Sequence, residues 1–297
     1  MVNLSFVLYY SPLPLYVPHY SMSHIIWSQL AQDIANWHSS LNFLSNKIQP
    51  IIVGILGGQG TGKSTLVSLL TQILKNEFGL NAVCLSLDDL YLPYADRLQL
   101  QAQDSRMVWR GPPGTHEIYL GLELLKQIRA QRFPAFIPQF DKSLQNGAGD
   151  RTTPLEIQAA DIVLFEGWFV GCRPVSPFQI NQAPLSVVAE ADRDFAKDMN
   201  CALHEYQVLW EKIDRLIVLN PMDYRLSIQW RQEAEAKLRS AQNPGMSDAE
   251  IVEFVEYFWK SLHPELYILP LLNEPQWVDR IIDIAADHSP TQIYTPK

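Results

Sequence analysis

The chain has 297 residues, 47% of them apolar and 19% charged, which is ample for a packed core and excludes intrinsic disorder as the default reading. Its formal net charge of −9 argues against the basic footprint of a sequence-independent nucleic-acid or anionic-membrane binder. The length allows one large or two ordinary domains.

The N-terminal stretch from Met1 to Val17 is apolar, yet the first Lys or Arg is Lys47, and Pro12, Pro14 and Pro18 interrupt the run. It therefore lacks both the charged start and the continuous apolar stretch of a signal peptide. Residues 1–21 carry no charged side chain and read as dispensable, upstream of a start at Met22. No stretch approaches about 18 uninterrupted apolar residues, so no membrane span is expected. Cys84, Cys172 and Cys201 form an odd set without metal-type spacing, and a reducing, cytoplasmic compartment is the default.

From Ile25 the apolar residues Trp27, Leu30, Ile34, Trp37, Leu41 and Leu44 recur at three- and four-residue steps, which predicts an amphipathic helix in an N-terminal extension over 1–50. A membrane-surface helix would want Lys or Arg on its polar face, and this one has none, so it is expected to dock on the main domain. Five short apolar runs then predict buried strands at Ile51–Leu56, Ala82–Leu87, Ile162–Phe165, Leu216–Leu219 and Ile281–Ile284. Between them, helices are expected at Lys63–Glu77, Ile118–Ala130, Asp192–Ile213 and Tyr224–Ser240, with another opened by the capping box Ser247-Asp248-Ala249-Glu250. This alternation predicts an α/β domain over 51–290, a five-stranded parallel sheet flanked by helices. The segment 91–160 is read as an insertion with one helix, hung over the carboxyl ends of the strands where open α/β sheets bind ligands. It overlaps the net-positive middle segment of the chain, since 97–173 holds 9 basic and 8 acidic residues.

Gly57-Gly58-Gln59-Gly60-Thr61-Gly62-Lys63-Ser64 matches G-x-x-x-x-G-K-[ST] between an expected strand and an expected helix, the context of a P-loop. Such a loop turns backbone N–H groups around phosphate oxygens, Lys63 reaches the β- and γ-phosphates, and Ser64 or Thr65 offers a hydroxyl to Mg²⁺. A Rossmann reading fails because Lys63-Ser64 holds the diagnostic place. Asp88 and Asp89 follow the second strand. One of them could accept the proton of an attacking hydroxyl while touching the metal shell, although both could equally be turn formers. Glu166 ends a buried strand at the Walker-B position, where an acid holds Mg²⁺ or its waters.

Within the insertion, Arg110 and His116 in Arg-Gly-Pro-Pro-Gly-Thr-His-Glu, Lys142 in Phe-Asp-Lys-Ser and Arg151 in Gly-Asp-Arg are expected to bind a small anionic acceptor, with a solvated loop and a helix-capping His116 as the alternative. The segment 221–247 is expected to form a helical lid. Arg231 is its best phosphate contact, because Arg239 lies about 12 Å further along a helix axis. Asn220-Pro221-Met222-Asp223 lacks the Lys of a guanine-reading motif and is read as a loop and helix start.

In order along the chain, the P-loop, Ser-Leu-Asp-Asp-Leu-Tyr from Ser86, Arg-Gly-Pro-Pro-Gly-Thr-His from Arg110, Phe-Asp-Lys-Ser from Phe140, Phe-Glu-Gly-Trp from Phe165, Trp230-Arg231-Gln232 and Gly245-Met246-Ser247-Asp248 resemble plant-type D-glycerate 3-kinase over about Ile51 to Asp287. More distantly the chain is similar to phosphoribulokinase, uridine kinase and pantothenate kinase. The resemblance implies a P-loop fold and Mg²⁺-dependent transfer from ATP to D-glycerate, giving 3-phosphoglycerate, the closing step of photorespiration. It also implies that Asp88, not Asp89, positions the acceptor hydroxyl, that Lys63 and Arg231 stabilise phosphoryl charge, and that Ser64, Asp88 and Glu166 organise the metal. Leu90, Phe140 and Glu117 depart from the residues common in that family. Alternatives are a kinase for a uridine- or pantothenate-like acceptor and a non-metabolic ATP-binding regulator.

Overall fold

The computed structural model describes residues 22–45, 49–238 and 245–297. Residues 1–21, Arg239 and the end of the helix expected to run to Ser240 lie outside the described residues.

The described strands are β1 (Ile51–Gly57), β2 (Ala82–Ser86), β3 (Ala135–Ile137), β4 (Phe140–Asp141), β5 (Asp150–Arg151), β6 (Leu155–Ile157), β7 (Ile162–Gly167), β8 (Arg215–Pro221), β9 (Arg280–Ile284) and β10 (Pro290–Tyr294). The helices are α1 (Met22–Ser45), α2 (Lys63–Phe78), α3 (Tyr94–Gln103), α4 (Ile118–Arg129), α5 (Pro177–Asn181), α6 (Glu190–Trp210), α7 (Leu226–Leu238), α8 (Asp248–Ser261) and α9 (Pro264–Tyr267). The capping box expected at Ser247 is present: its hydroxyl accepts from the Glu250 N–H, and the Glu250 carboxylate accepts from the Ser247 N–H at 2.7 Å.

The main sheet runs β10-β9-β8-β1-β7-β2. Its five expected strands are parallel throughout, and β10 adds a sixth, antiparallel to β9 at one edge. The expected count of five strands is thus corrected to six. Pro290 disguises β10, since proline reads as a strand breaker although it is tolerated at a first strand residue and on an edge strand, both of which hold here. Side chains alternate across the sheet. Ile52, Leu56, Val163, Phe165, Leu216 and Val218 join a core with α4, α6 and α8, while Ile51, Val53, Ile55, Ile162, Leu164, Ile217 and Leu219 join a second core with α1 and α2.

In α1, Leu30 and Ile34 are fully buried, and Arg280 of β9 donates to Asp33 at 2.7 Å. Leu44, the last member of the apolar stripe, is exposed. No helix among the described residues is long and apolar enough to cross a membrane. The insertion contains two helices rather than the expected one. No residue of α3 is buried, so it leaves no apolar period to read. Two short antiparallel pairs, β3 with β6 and β4 with β5, complete the insertion.

Candidate active site

β1, β2 and β7 end side by side and deliver three groups to one corner. The turn after β1 forms the loop Gly57–Gly62, whose last residue, with φ +85°, starts α2. Gly60 also has positive φ, and a Cβ there would lie 2.6 Å from the Trp230 Cβ of α7, so any side chain would push that helix away. The Thr61 hydroxyl ties the loop by donating to the Gly58 carbonyl at 2.9 Å. Lys63 curls over it, its Nζ donating to the carbonyls of Gly57 at 2.8 Å and Gly58 at 3.0 Å. Burial lowers its pKa, with Glu166 and Asp88 acting in the opposite sense. Gln59 Oε1 is buried without a partner. Gly60, Thr61, Lys63, Ser64 and Thr65 line an open cleft of about 700 Å³, within the usual range for a small-molecule site. An anionic group fits this cradle, where N–H groups converge at a helix N-terminus beside the half-buried Lys63 ammonium.

The register of β2 and β7 sets Ser86 opposite Glu166. The hydroxyls of Ser86 and Ser64 both donate to Glu166 Oε1, at 2.9 and 3.2 Å, and Glu166 is buried. No cluster of three or more His, Cys, Asp and Glu that could hold a metal is found among the described residues. One carboxylate with two hydroxyls is the sparse, all-oxygen donor set that suits Mg²⁺, which keeps its waters and leans on substrate phosphates. Of the expected set Ser64, Asp88 and Glu166, Ser64 and Glu166 meet here together with Ser86, which was not expected, whereas Asp88 makes its hydrogen bonds with Tyr91 and Lys142.

Asp88 and Asp89 sit in a turn of 3₁₀ helix, Leu87–Leu90, and point to different tasks. Asp88 accepts from the Tyr91 hydroxyl at 2.9 Å and from Lys142 Nζ at 2.6 Å. Burial pushes its carboxyl up, but the Lys142 ammonium and these two bonds outweigh that and leave it below the ordinary value. Asp89 instead accepts from the backbone N–H of Ser86 and of Phe140, at 3.4 and 3.1 Å, and burial pushes it up to about 6. It fastens the β4–β5 hairpin to the end of β2.

That hairpin carries Lys142 to Asp88 and is held from several sides. Arg110 donates to the carbonyls of Gly147 and Ala148, both at 2.9 Å, and lies over the Phe140 ring. Arg97, which motif reading passed over, donates to Leu92, Ala148 and Gly149 carbonyls. Asp150 accepts from the Tyr94 N–H at 3.0 Å. Arg110 thus serves as a clamp on backbone carbonyls in this structure. Arg151 donates to the Tyr91 carbonyl at 2.8 Å and pairs with Glu117 at 2.6 Å, leaving its buried Nη2 without a partner.

His116 does not cap α4, whose N-cap is Glu117. It is buried, stacked on Tyr91 with ring centroids 4.5 Å apart, and its Nδ1 shares a 2.8 Å hydrogen bond with the Tyr206 hydroxyl of α6. Burial drops its pKa to about 3, and its Nε2 has no partner. Trp168 of the Phe-Glu-Gly-Trp motif donates from its indole to the Gly111 carbonyl at 3.1 Å, joining β7 to the Arg-Gly-Pro-Pro-Gly-Thr-His segment.

Arg231 is not brought to the loop. It pairs with Glu235 at 3.4 Å and lies over the Phe254 ring of α8, while its neighbour Trp230 packs on Gly60. The expected phosphate contact from the lid is absent from this arrangement because consecutive helical residues face different directions.

No protein-family model matches the chain. An uncharacterized kinase of Schizosaccharomyces pombe, mug58, is 34% identical over 221 residues, which cover 71% of this chain and 79% of the relative. The chloroplastic D-glycerate 3-kinase of Arabidopsis thaliana is 30% identical over 91% of this chain, which spans 59% of the plant protein. Among solved structures, D-glycerate 3-kinase from Cryptococcus neoformans var. grubii aligns with a TM-score of 0.78 at 26% identity, covering 90% of this chain and 99% of that one. The shared fold, the loop that matches the P-loop pattern and these relatives together place the chain in the P-loop kinase family that contains D-glycerate 3-kinase, as a phosphotransferase to an alcohol group.

Proposed function

We propose that this kinase transfers the γ-phosphoryl group of ATP to D-glycerate, giving 3-phosphoglycerate, with Mg²⁺ as the metal. One observation carries the reading: the ionised Asp88, the unpartnered Nη2 of Arg151 and the unpartnered Nε2 of His116 all gather around Tyr91. A base beside a spare guanidinium donor and a spare imidazole nitrogen suits an acceptor that has a hydroxyl to be deprotonated and a carboxylate to be held.

Mg²⁺, held by Ser64, Ser86 and Glu166 with waters and phosphates, would supply charge neutralisation at the transferring group. Asp88 accepts the proton of the acceptor hydroxyl, and Lys142 keeps that carboxylate ionised and aimed. Lys63 leaves the Gly57 and Gly58 carbonyls for the phosphates, following the charge that develops there. Arg151 and His116 orient the acceptor, and Arg110 and Arg97 keep the hairpin rigid enough for a near-attack geometry.

The test is ADP release measured with D-glycerate, uridine, ribulose 5-phosphate and pantothenate as acceptors. D-glycerate is expected to give the highest kcat/KM. Equal or better rates with uridine or pantothenate would reject the assignment, and ADP release independent of every acceptor would favour the regulator.

A further inference from the structure

Tyr206 lies on α6, outside the sequence motifs, and its hydrogen bonds settle which ring nitrogen of His116 carries the proton. The Tyr206 oxygen accepts from the Gly114 N–H at 2.9 Å, and burial raises its pKa, which keeps the phenol protonated. That leaves its single O–H proton for His116 Nδ1, 2.8 Å away. Thr115 Oγ1, 3.5 Å from the same nitrogen, has no proton to offer, because it donates to the Pro112 carbonyl at 2.7 Å. Burial also holds the ring neutral above about pH 3. With Nδ1 an acceptor, the proton of the neutral ring sits on Nε2, the buried nitrogen that has no partner. We infer that Tyr206 is a positioning residue for the acceptor: it fixes His116 as the Nε2–H tautomer and so makes a neutral imidazole a hydrogen-bond donor to the acceptor carboxylate. The inference rests on the acceptor site of the proposed function and deepens it.

The packing holds this pose. One face of the imidazole stacks on Tyr91 at 4.5 Å and 24°, while the rings of Phe169 and Tyr206 cross it steeply at 5.7 and 5.6 Å. Turning the ring over would put a carbon where Nδ1 meets Tyr206 and forfeit the 2.8 Å bond. Tyr206 is itself fully buried against Phe169 and Trp210, so the group that sets the tautomer is anchored in the core and not in the insertion. An N–H on the free edge of the ring needs an acceptor atom, which a carboxylate supplies on both of its oxygens.

Nitrogen NMR of the histidine side chains in the unliganded protein reads the tautomer directly, with His116→Gln assigning the signal. The expected pattern is a protonated Nε2 and a bare Nδ1 in the wild type, and a mixture of tautomers in Tyr206→Phe. A wild-type proton on Nδ1 would overturn the inference, and this spectrum decides even where Tyr206→Phe fails to fold. Kinetics supply the second arm. Tyr206→Phe is expected to raise KM for D-glycerate roughly 3- to 10-fold, the scale of one hydrogen bond, with kcat nearly kept. In His116→Gln the amide nitrogen takes the place of Nε2 and has no tautomer to choose, so adding Tyr206→Phe to it should cost little more. A merely structural Tyr206 would give equal losses in both backgrounds, and that result would also overturn the inference. If D-glycerate is not turned over at all, the proposed function falls, and the wild-type spectrum alone decides the tautomer.

Discussion

The phosphate end and the acceptor end of this cleft are built by opposite means. At the phosphate end, chemistry comes from consecutive residues: one strand, one turn and the first two residues of one helix supply the loop, Lys63 and Ser64. At the acceptor end, Asp88 meets Lys142 across 54 positions, Arg151 meets Tyr91 across 60 and His116 meets Tyr206 across 90. A local motif therefore fixes the first half, whereas the second half exists only once the insertion has folded over the sheet. The difference explains why a cation in the insertion cannot be assigned to substrate from its type alone. Arg110 and Arg97 spend their donors on backbone carbonyls, whereas Arg151, beside Tyr91, keeps a buried donor free.

The sharpest way to break this division is at Asp88, where the two ends touch. Asp88→Asn is expected to lower kcat by roughly 10²- to 10⁴-fold with nucleotide affinity little changed, because it removes the base but not the cradle. Asp89→Asn should leave most of kcat and instead lower the thermal midpoint, since Asp89 holds two backbone N–H groups and touches no cation. Steady-state kinetics and thermal melts on both variants check the ranking, and the reverse order would move the base to Asp89.

A smaller effect is expected one step out, at Lys142. The pair with Asp88 is short, but Lys142 is 60% exposed, so solvent screening reduces its strength. Lys142→Met should cut kcat/KM for the acceptor about 10-fold, the scale of one charge-assisted hydrogen bond after that discount. Because the ammonium holds the Asp88 carboxyl below its ordinary value, its loss raises that pKa. The acid limb of the pH–rate profile must then move to higher pH. A profile that stays in place would separate Lys142 from the base.

The smallest expected effect is on stability, through His116. Burial lowers its folded pKa from 6.5 to about 3, so between those values the unfolded chain binds a proton that the folded chain refuses. Stability from this group is present above about 6.5 and is lost as pH falls toward 3. Denaturant melts of the wild type and His116→Gln across that window should show a shallower pH slope in the variant. Equal slopes would mean that His116 is not held neutral.

How much of this was legible beforehand follows the same line. β1, α2 and the loop between them carry their own signals: a continuous apolar run, glycines where φ is positive, and an apolar period of 3.6. Glu166 was legible as an acid ending a buried strand, and Asp88 could be separated from Asp89 by resemblance and by the alternation of side chains. Ser86 escaped notice as a partner of Glu166 because strand register, set by the whole sheet, brings them together. α3 was missed for want of a buried face, and β10 because a proline and a polar run conceal an edge strand. Arg231 was misplaced because a helical period gives the face of a residue only when its docking partner is known, and here that partner is Phe254 of α8.

Backbone hydrogen exchange, recorded with ADP alone and with D-glycerate alone, tests most directly whether the two ends are separate devices joined at Asp88. Protection that includes Gly57–Thr65 but leaves 91–151 unchanged with ADP, and that includes 91–151 but leaves Gly57–Thr65 unchanged with D-glycerate, is the predicted result. Protection of the β4–β5 hairpin by ADP alone, or no protection of the insertion by D-glycerate, would contradict it.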